Sequence, residues 1–192
     1  MQRRLKIVGV MGSGSNPHAD LARPVGRLVA ELGCHLLTGG GGGVMAEAAR
    51  AFCEVETRQG LSIGIIRSGD FPDLDPSTLT RAYRPHAVNP YVEIPVHTHL
   101  PLSGASGMDF MSRNHINVLT SDAVVALPGG PGTYSEVVLR LQYGRPIVLF
   151  LGTETIDGRK AEAFAESTLH PETIHIARSV GQLRGLVRRA VS

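Results

Sequence analysis

Lysine is nearly missing from this chain of 192 residues: it occurs only at Lys6 and Lys160, so the positive charge is almost all arginine. A phosphate loop of the G-x-x-x-x-G-K-[ST] type requires a lysine directly after its glycines, and neither lysine stands in one, which excludes a P-loop ATPase. Arginine suits planar recognition of phosphate and carboxylate; a compositional bias of a GC-rich genome accounts for the same pattern. Tryptophan is absent, and charged residues are 19% of the chain, below the typical quarter. Net charge is only +2, and no basic run or aromatic-interleaved stripe points to nucleic acid. Arg188 and Arg189 read as a solvated helix face. The two cysteines, Cys34 and Cys53, cannot make a disulfide framework and read as reduced thiols of a cytosolic protein. No apolar stretch reaches the ~18 residues of a membrane span, and the apolar run after Arg4 is too short for a signal peptide. The expectation is a cytoplasmic chain with no membrane partner, folded as one domain over 1–192.

Glycine is what the chain has in excess: 23 residues, about 12%, against a usual ~7%. Eleven of them fall in three clusters: Gly9, Gly12 and Gly14; Gly39 to Gly43; and Gly129, Gly130 and Gly132. No Gly-X-Y period runs through the chain, so collagen is excluded, and 42% hydrophobic residues argue against disorder. Glycines concentrated at a few points mark tight turns or close approach of backbone to a ligand.

Apolar periodicity predicts strands at 5–10, 35–38, 61–66, 91–96, 122–127, 146–151 and 173–176. It predicts helices at 18–32, 44–58, 108–119, 133–143, 160–167 and 180–191. Pro24 predicts a kink or a late start in the first helix. Residues 67–90 and 97–107 read as long loops. Alternating strands and helices with continuous apolar strands indicate an α/β fold: a doubly wound Rossmann-like parallel sheet of about six to seven strands, with helices on both faces. Ligands of such sheets bind outside the carboxyl ends of the strands, and all three glycine clusters fall at or just past such an end.

The dinucleotide fingerprint G-x-G-x-x-G is not met. Gly12-Ser13-Gly14-Ser15-Asn16-Pro17 puts proline where the third glycine belongs, and the second strand ends in Thr38 rather than an acid. A mononucleotide-sized site remains. The turns at Gly129–Thr133 and Gly39–Gly43 both open helices whose N-termini can hold a phosphate. The alternative for each is a tight strand-to-helix turn that needs glycine for steric reasons alone.

Pro128-Gly129-Gly130-Pro131-Gly132-Thr133-Tyr134-Ser135-Glu136 resembles the P-G-G-x-G-T-x-x-E signature of the LONELY GUY family, proteins long labelled lysine decarboxylases. Three further segments agree in order: Gly9 to Ser15 with the family's first-strand turn, Thr38 to Met45 with its Y-G-G-G-x-x-G-L-M segment, and Met111-Ser112-Arg113-Asn114 with its M-x-x-R-K. The resemblance spans residues 5 to 151. It implies a modified Rossmann fold, a homodimer or homotetramer, and hydrolysis of nucleoside 5′-monophosphates to free base and ribose 5-phosphate. That reaction requires no metal or redox cofactor. Asn114 stands where the hydrolases carry lysine. The Arg113-Asn114 pair and Asn89-Pro90-Tyr91-Val92-Glu93 are more similar to the branch that carries molybdenum cofactor. The resemblance thus implies a nucleoside 5′-monophosphate phosphoribohydrolase, with a non-enzymatic molybdenum cofactor carrier or nucleotide sensor as the alternative, and a bound partner that is a nucleotide or a phosphorylated pterin such as molybdenum cofactor.

On this reading Arg113 and Glu136 carry the chemistry. Glu136 stabilises positive charge on a ribose or activates water; alternatively, Thr133-x-x-Glu136 is a capping box. Arg113 meets the phosphate or the ribose, or else forms a surface salt bridge. Ligand and phosphate contacts are expected from Gly12, Ser13, Gly14, Ser15, Gly39, Gly40, Gly41, Gly42, Gly43, Met45, Asn114, Pro128, Gly129, Gly130, Gly132 and Thr133. No metal site is expected, since the pair His97 and His99 lacks a certain third ligand.

Overall fold

The sheet grows outward in both directions from its first strand. In the computed structural model, which describes residues 4–69 and 86–192, seven parallel strands form one sheet in the order β4-β3-β2-β1-β5-β6-β7. They are β1 (Ile7–Met11), β2 (His35–Thr38), β3 (Ser62–Ile66), β4 (Ile94–His97), β5 (Ala123–Ala126), β6 (Ile147–Leu149) and β7 (Ile174–Ile176). The helices are α1 (Ala19–Glu31), α2 (Val44–Cys53), α3 (Asn114–Thr120), α4 (Pro131–Gln142), α5 (Ala161–Ser167) and α6 (Val180–Val191). Chain direction across the sheet reverses between β1, which pairs with β2 on one side, and β5 on the other. This is a Rossmann-like α/β fold, and the β1/β5 crevice is its topological switch point.

Side chains alternate across the sheet, so neighbouring apolar residues serve opposite layers. Leu36, Val125 and Val148 pack with Val25 of α1, Phe52 of α2 and Leu183 of α6. Leu37, Val124 and Leu149 pack with Val137 of α4 and Phe164 of α5. Both faces of the central strands are thereby covered, which explains why they read as unbroken apolar runs. The edge strand β4 departs from this: its residues are exposed, Ile94 and Val96 among them. No helix of the described residues is long and apolar enough to cross a membrane.

Two local expectations are corrected. Pro24 lies inside α1, which starts at Ala19, so the late start does not occur. The helix expected over 108–119 begins only at Asn114. Ahead of it stand a single 3-10 turn, Gly104–Ser106, and a run of side-chain-to-backbone hydrogen bonds. Asp109 Oδ1 accepts from the Met111 N–H at 2.8 Å, and Ser112 Oγ from the Asn114 N–H at 3.1 Å. Such bonds satisfy the backbone locally and compete with helix. Phe110, within the range of the expected helix, is 82% exposed. Of the expected loop 67–90, residues 70–85 lie outside the described residues.

Candidate functional site

Three strand ends converge on Ser13. Its N–H donates to Pro128 O at 2.9 Å, tying the turn after β1 to the turn after β5. Its carbonyl accepts from the Val44 N–H at 2.9 Å, tying the same turn to the start of α2. Gly43 makes the second tie possible. It has φ +58°, and a Cβ there would stand 2.3 Å from Ser13 O. One hydrogen-bonded knot thus gathers the glycine clusters, far apart in sequence, at the switch point.

A cleft of about 320 Å³ opens beside the knot. From the expected residues it is lined by Gly12, Ser13, Gly14 and Ser15 on one wall, and by Gly130, Gly132 and Thr133 on another. Met45, Arg113, Asn114 and Glu136 complete it, together with Ser103 and Gly104 of the long loop. Gly39 to Gly43, Pro128 and Gly129 are not in the lining. The Gly40 and Gly41 carbonyls accept from the backbone N–H and side-chain Nδ2 of Asn89, at 2.8 and 2.9 Å. A larger cleft of about 550 Å³, lined by Leu5, Gly33, Cys34 and Val191, lies at the amino-terminal edge of the sheet. It contains none of the buried unpaired polar groups described next.

The polar floor of the switch-point cleft is buried and undersatisfied. Arg113 is 9% exposed and Glu136 7%. The Nε and Nη1 atoms of Arg113 are buried with no hydrogen-bond partner, as is Asn117 Oδ1. Asn117 Nδ2 donates to Glu136 Oε1 at 2.8 Å. Gly39 lets the guanidinium reach this position: a Cβ at Gly39 would sit 2.1 Å from Arg113 Nη1. Burial pulls the Arg113 pKa down, against Glu136. Burial pushes the Glu136 carboxyl above its usual range, against the opposing effects of Arg113 and the Asn117 hydrogen bond. Buried polar groups are almost always paired, so unpaired ones at the floor of a cleft mark where a ligand's polar atoms belong.

Two open alternatives are closed by this geometry. Thr133 is not the cap of α4: the cap is Gly130, with Pro131 in the first turn, and no side chain caps the helix. The Glu136 carboxylate bonds to Asn117, not back to a cap, so the capping box is absent. Arg113 forms no surface salt bridge among the described residues. The N-termini of α1 and α2 likewise carry no side-chain cap, whereas α6, remote from the cleft, is capped by Ser179. The uncapped N–H groups of α4 suit an anion. Asn114 is committed to the scaffold, with Nδ2 donating to Ser135 Oγ at 2.9 Å.

Among the described residues no group of three His, Cys, Asp or Glu side chains is placed to hold a metal. Cys34 and Cys53 are free thiols, and burial pushes both pKa values up. His115 bonds to the Tyr143 hydroxyl at 2.8 Å and to Asp109 O at 3.0 Å, a structural role. Asn117 was not singled out from sequence. It looks like one more polar residue of a short helix, and only its pairing with Glu136 across 19 residues reveals it.

Glu136 sets an expected pH dependence. Its raised pKa means the carboxyl stays neutral at acid pH and acquires its charge as pH rises through a value above the usual carboxylate range. The new negative charge then competes with any anion for Arg113. Binding of sulfate, whose own charge is constant over this range, weakens as pH rises, and Glu136→Gln removes the effect. At pH 8 the variant binds sulfate about tenfold tighter, a modest fraction of the Coulomb energy between close charges. Calorimetric titration from pH 5 to 8 checks it; equal pH profiles for the two proteins would refute it.

A parallel sheet with glycine turns gathered at its switch point defines the Rossmann-like α/β class. Within it, the chain belongs to the SLOG cluster4 family, which matches residues 5–184. It is 30% identical to the molybdenum cofactor binding protein of Rippkaea orientalis, with 100% of both chains covered and a TM-score of 0.71. It is 28% identical to the molybdenum cofactor carrier protein of Chlamydomonas reinhardtii, covering 97% of this chain and 98% of that one, with a TM-score of 0.73. A protein of Archaeoglobus fulgidus is 28% identical over 160 residues, 82% of this chain and 87% of that protein. The resemblance read from the P-G-G-x-G-T-x-x-E segment, including its carrier branch, agrees with these matches.

Proposed function

We propose that this protein binds a small heterocyclic ligand through a phosphate group, with molybdenum cofactor ahead of a nucleotide, and carries it without cleaving it. The observation that carries the reading is the unpaired, buried Arg113 facing the same cleft as the uncapped N-terminus of α4. A helix N-terminus supplies N–H donors and partial positive charge, and a guanidinium supplies a planar fork for a phosphate edge. Gly130, Gly132 and Thr133 present the donors, Ser13 and Ser15 face them from the β1 turn, and Met45 borders the space for the ring. The volume lies at the lower end of small-molecule sites, which run to ~300–1,000 Å³. The two similar proteins named above as binding or carrying molybdenum cofactor support the choice of ligand.

The hydrolase reading has one observation in its favour: Glu136 opens onto the cleft next to Arg113. Burial raises the Glu136 pKa, a shift that suits a general acid or base as well, so the similar proteins named above and the following assay decide between the two readings. Incubation of the purified protein with AMP and other nucleoside monophosphates, followed by detection of free base, separates the two. Stoichiometric retention of molybdenum cofactor without release of base is the expected result. Turnover of a monophosphate that is lost in Glu136→Ala would overturn the carrier reading.

A homodimer or homotetramer belongs to the same proposal. Phe110 at 82% and Leu169 at 94% exposed are large apolar side chains left to solvent by the single chain. Sedimentation velocity at micromolar concentration reads the assembly, and a monomer there would count against it.

A further inference from the structure

Near Arg113 the fold places a second guanidinium that neither the sequence pattern nor the phosphate turn accounts for. Arg67 follows β3 directly. Its Nη1 donates to Pro101 O at 3.2 Å, and Leu102 O, one residue on, accepts the Arg113 N–H at 3.2 Å. The loop after β4 therefore brings the two arginines to one corner. The other wall is the segment 86–89, where the His86 N–H donates to Arg67 O at 3.3 Å and the Asn89 N–H to Gly40 O at 2.8 Å. Arg67 Nη2 lies 2.6 Å from His86 Nε2. A guanidinium can only donate, so His86 accepts there as a neutral ring.

The charges at this corner do not balance among the described residues. Arg113 feels Arg67 as a repulsive neighbour and Glu136 as its attractive one. His86 is held below its usual pKa by burial and by both arginines. Neither arginine forms an ion pair among the described residues, and Arg113 keeps two buried nitrogens unpaired. Arg67 is partly buried and Arg113 almost wholly so, and a second positive charge beside a buried one is costly unless an anion joins them.

We propose that Arg67 and Arg113, with His86 orienting Arg67, form a second oxyanion subsite that adjoins the cleft through Arg113, the one of the three that lines it, so that a ligand spanning both carries two anionic groups. One is the phosphate at the N-terminus of α4; the other sits between the two guanidiniums. This deepens the reading above and rests on it for the first group only. The shared chemistry of the second group is a tetrahedral or oxo anion, whether another phosphate of the same molecule or a separate oxyanion.

Tungstate, a heavy analogue of both phosphate and molybdate, tests the subsite. Crystals soaked at millimolar concentration are expected to show two anomalous peaks per chain, one against the Gly130–Thr133 backbone and one between Arg67 and Arg113. Arg67→Met loses the second peak and keeps the first; Arg67→Lys, which retains the charge, keeps both with the second weakened. A thermal melt of each variant confirms folding. The source is read by binding of adenosine 5′-monophosphate against adenosine 3′,5′-bisphosphate. A gain of about tenfold for the bisphosphate that disappears in Arg67→Met assigns the second group to the same molecule, a size typical of charge-assisted hydrogen bonds. Tungstate at the corner beside bound monophosphate assigns it to a separate oxyanion. A single peak at α4 would overturn the second subsite and leave the phosphate reading standing. No peak at α4 would overturn that reading, and no peak at either place would overturn both.

Discussion

Arg113→Met is expected to abolish anion binding while leaving the protein as stable as before, or more so. The guanidinium is buried with Nε and Nη1 unpaired, so in the ligand-free chain it carries a desolvation cost that its neighbours offset only in part. Methionine fills a similar volume without that cost. Glu136 then loses its cation, but its carboxyl is already displaced toward the neutral form and keeps the Asn117 Nδ2 hydrogen bond. Binding has no such reserve. Loss of two charge-assisted hydrogen bonds to a phosphate costs about 3 kcal/mol or more, roughly 100-fold in affinity or beyond. Gly39→Ala reaches the same end from outside, since its methyl would stand where the guanidinium lies. Titration with sulfate and a thermal melt on each variant read the two effects separately. A variant that binds normally would show that the ligand does not touch Arg113, and one that is unfolded would show that the arginine is structural.

The opposite behaviour is expected of the other buried arginine, Arg140. It is 0% exposed, and every nitrogen of its guanidinium donates a hydrogen bond. Nη1 donates to the carbonyls of Val118 and Ser121, Nη2 to Asp122 O at 2.8 Å and Nε to Pro146 O at 3.1 Å. These carbonyls lie where α3 ends and where β5 and β6 begin. Burial lowers the Arg140 pKa to about 10, which still leaves it charged at neutral pH. Arg140→Met takes the guanidinium donors from four carbonyls, those of Val118 and Ser121 buried and those of Asp122 and Pro146 part-buried. At about 1 kcal/mol or more each, the loss is at least ~4 kcal/mol, a large part of a typical 5–15 kcal/mol. The melting temperature should fall by roughly 10 °C or more, or the chain should fail to accumulate as folded protein. Arg140→Lys recovers only a fraction, because an ammonium cannot match the fork. A shift under a few degrees for methionine would mean that water replaces the guanidinium. The pair makes a clean contrast: Arg113 is idle in the fold and decisive for a ligand, and Arg140 is the reverse.

Neither role could be read from composition. Arg113 stands in a polar stretch, Ser112-Arg113-Asn114, and Arg140 between Leu139 and Leu141, and neither setting says which guanidinium the fold uses. Apolar periodicity over 108–119 predicts a helix that includes the segment before Arg113. Asp109 and Ser112 bond the backbone locally instead and delay the helix to Asn114. Glu136 offered two readings, cap or site, and the choice turned on Asn117, 19 residues away. Arg67 and His86 carried no motif at all. Their significance comes from the loop after β4, which returns to Arg67 across 34 residues.

What the sequence by itself determined is the order of strands and helices, the parallel character of the sheet and the place of each glycine turn at a strand's carboxyl end. These follow from local periodicity and from backbone geometry that only glycine permits, both of which are written in contiguous residues. The P-G-G-x-G-T-x-x-E segment belongs with them, since its nine positions are consecutive. Tertiary structure alone decided that the turns after β1, β2 and β5 share one knot at Ser13, that Arg113 is buried and unpaired beside Glu136, and that Arg67 joins it. Those are contacts between residues distant in the chain, and a side chain's charge state and free hydrogen-bonding capacity depend on what the fold packs around it.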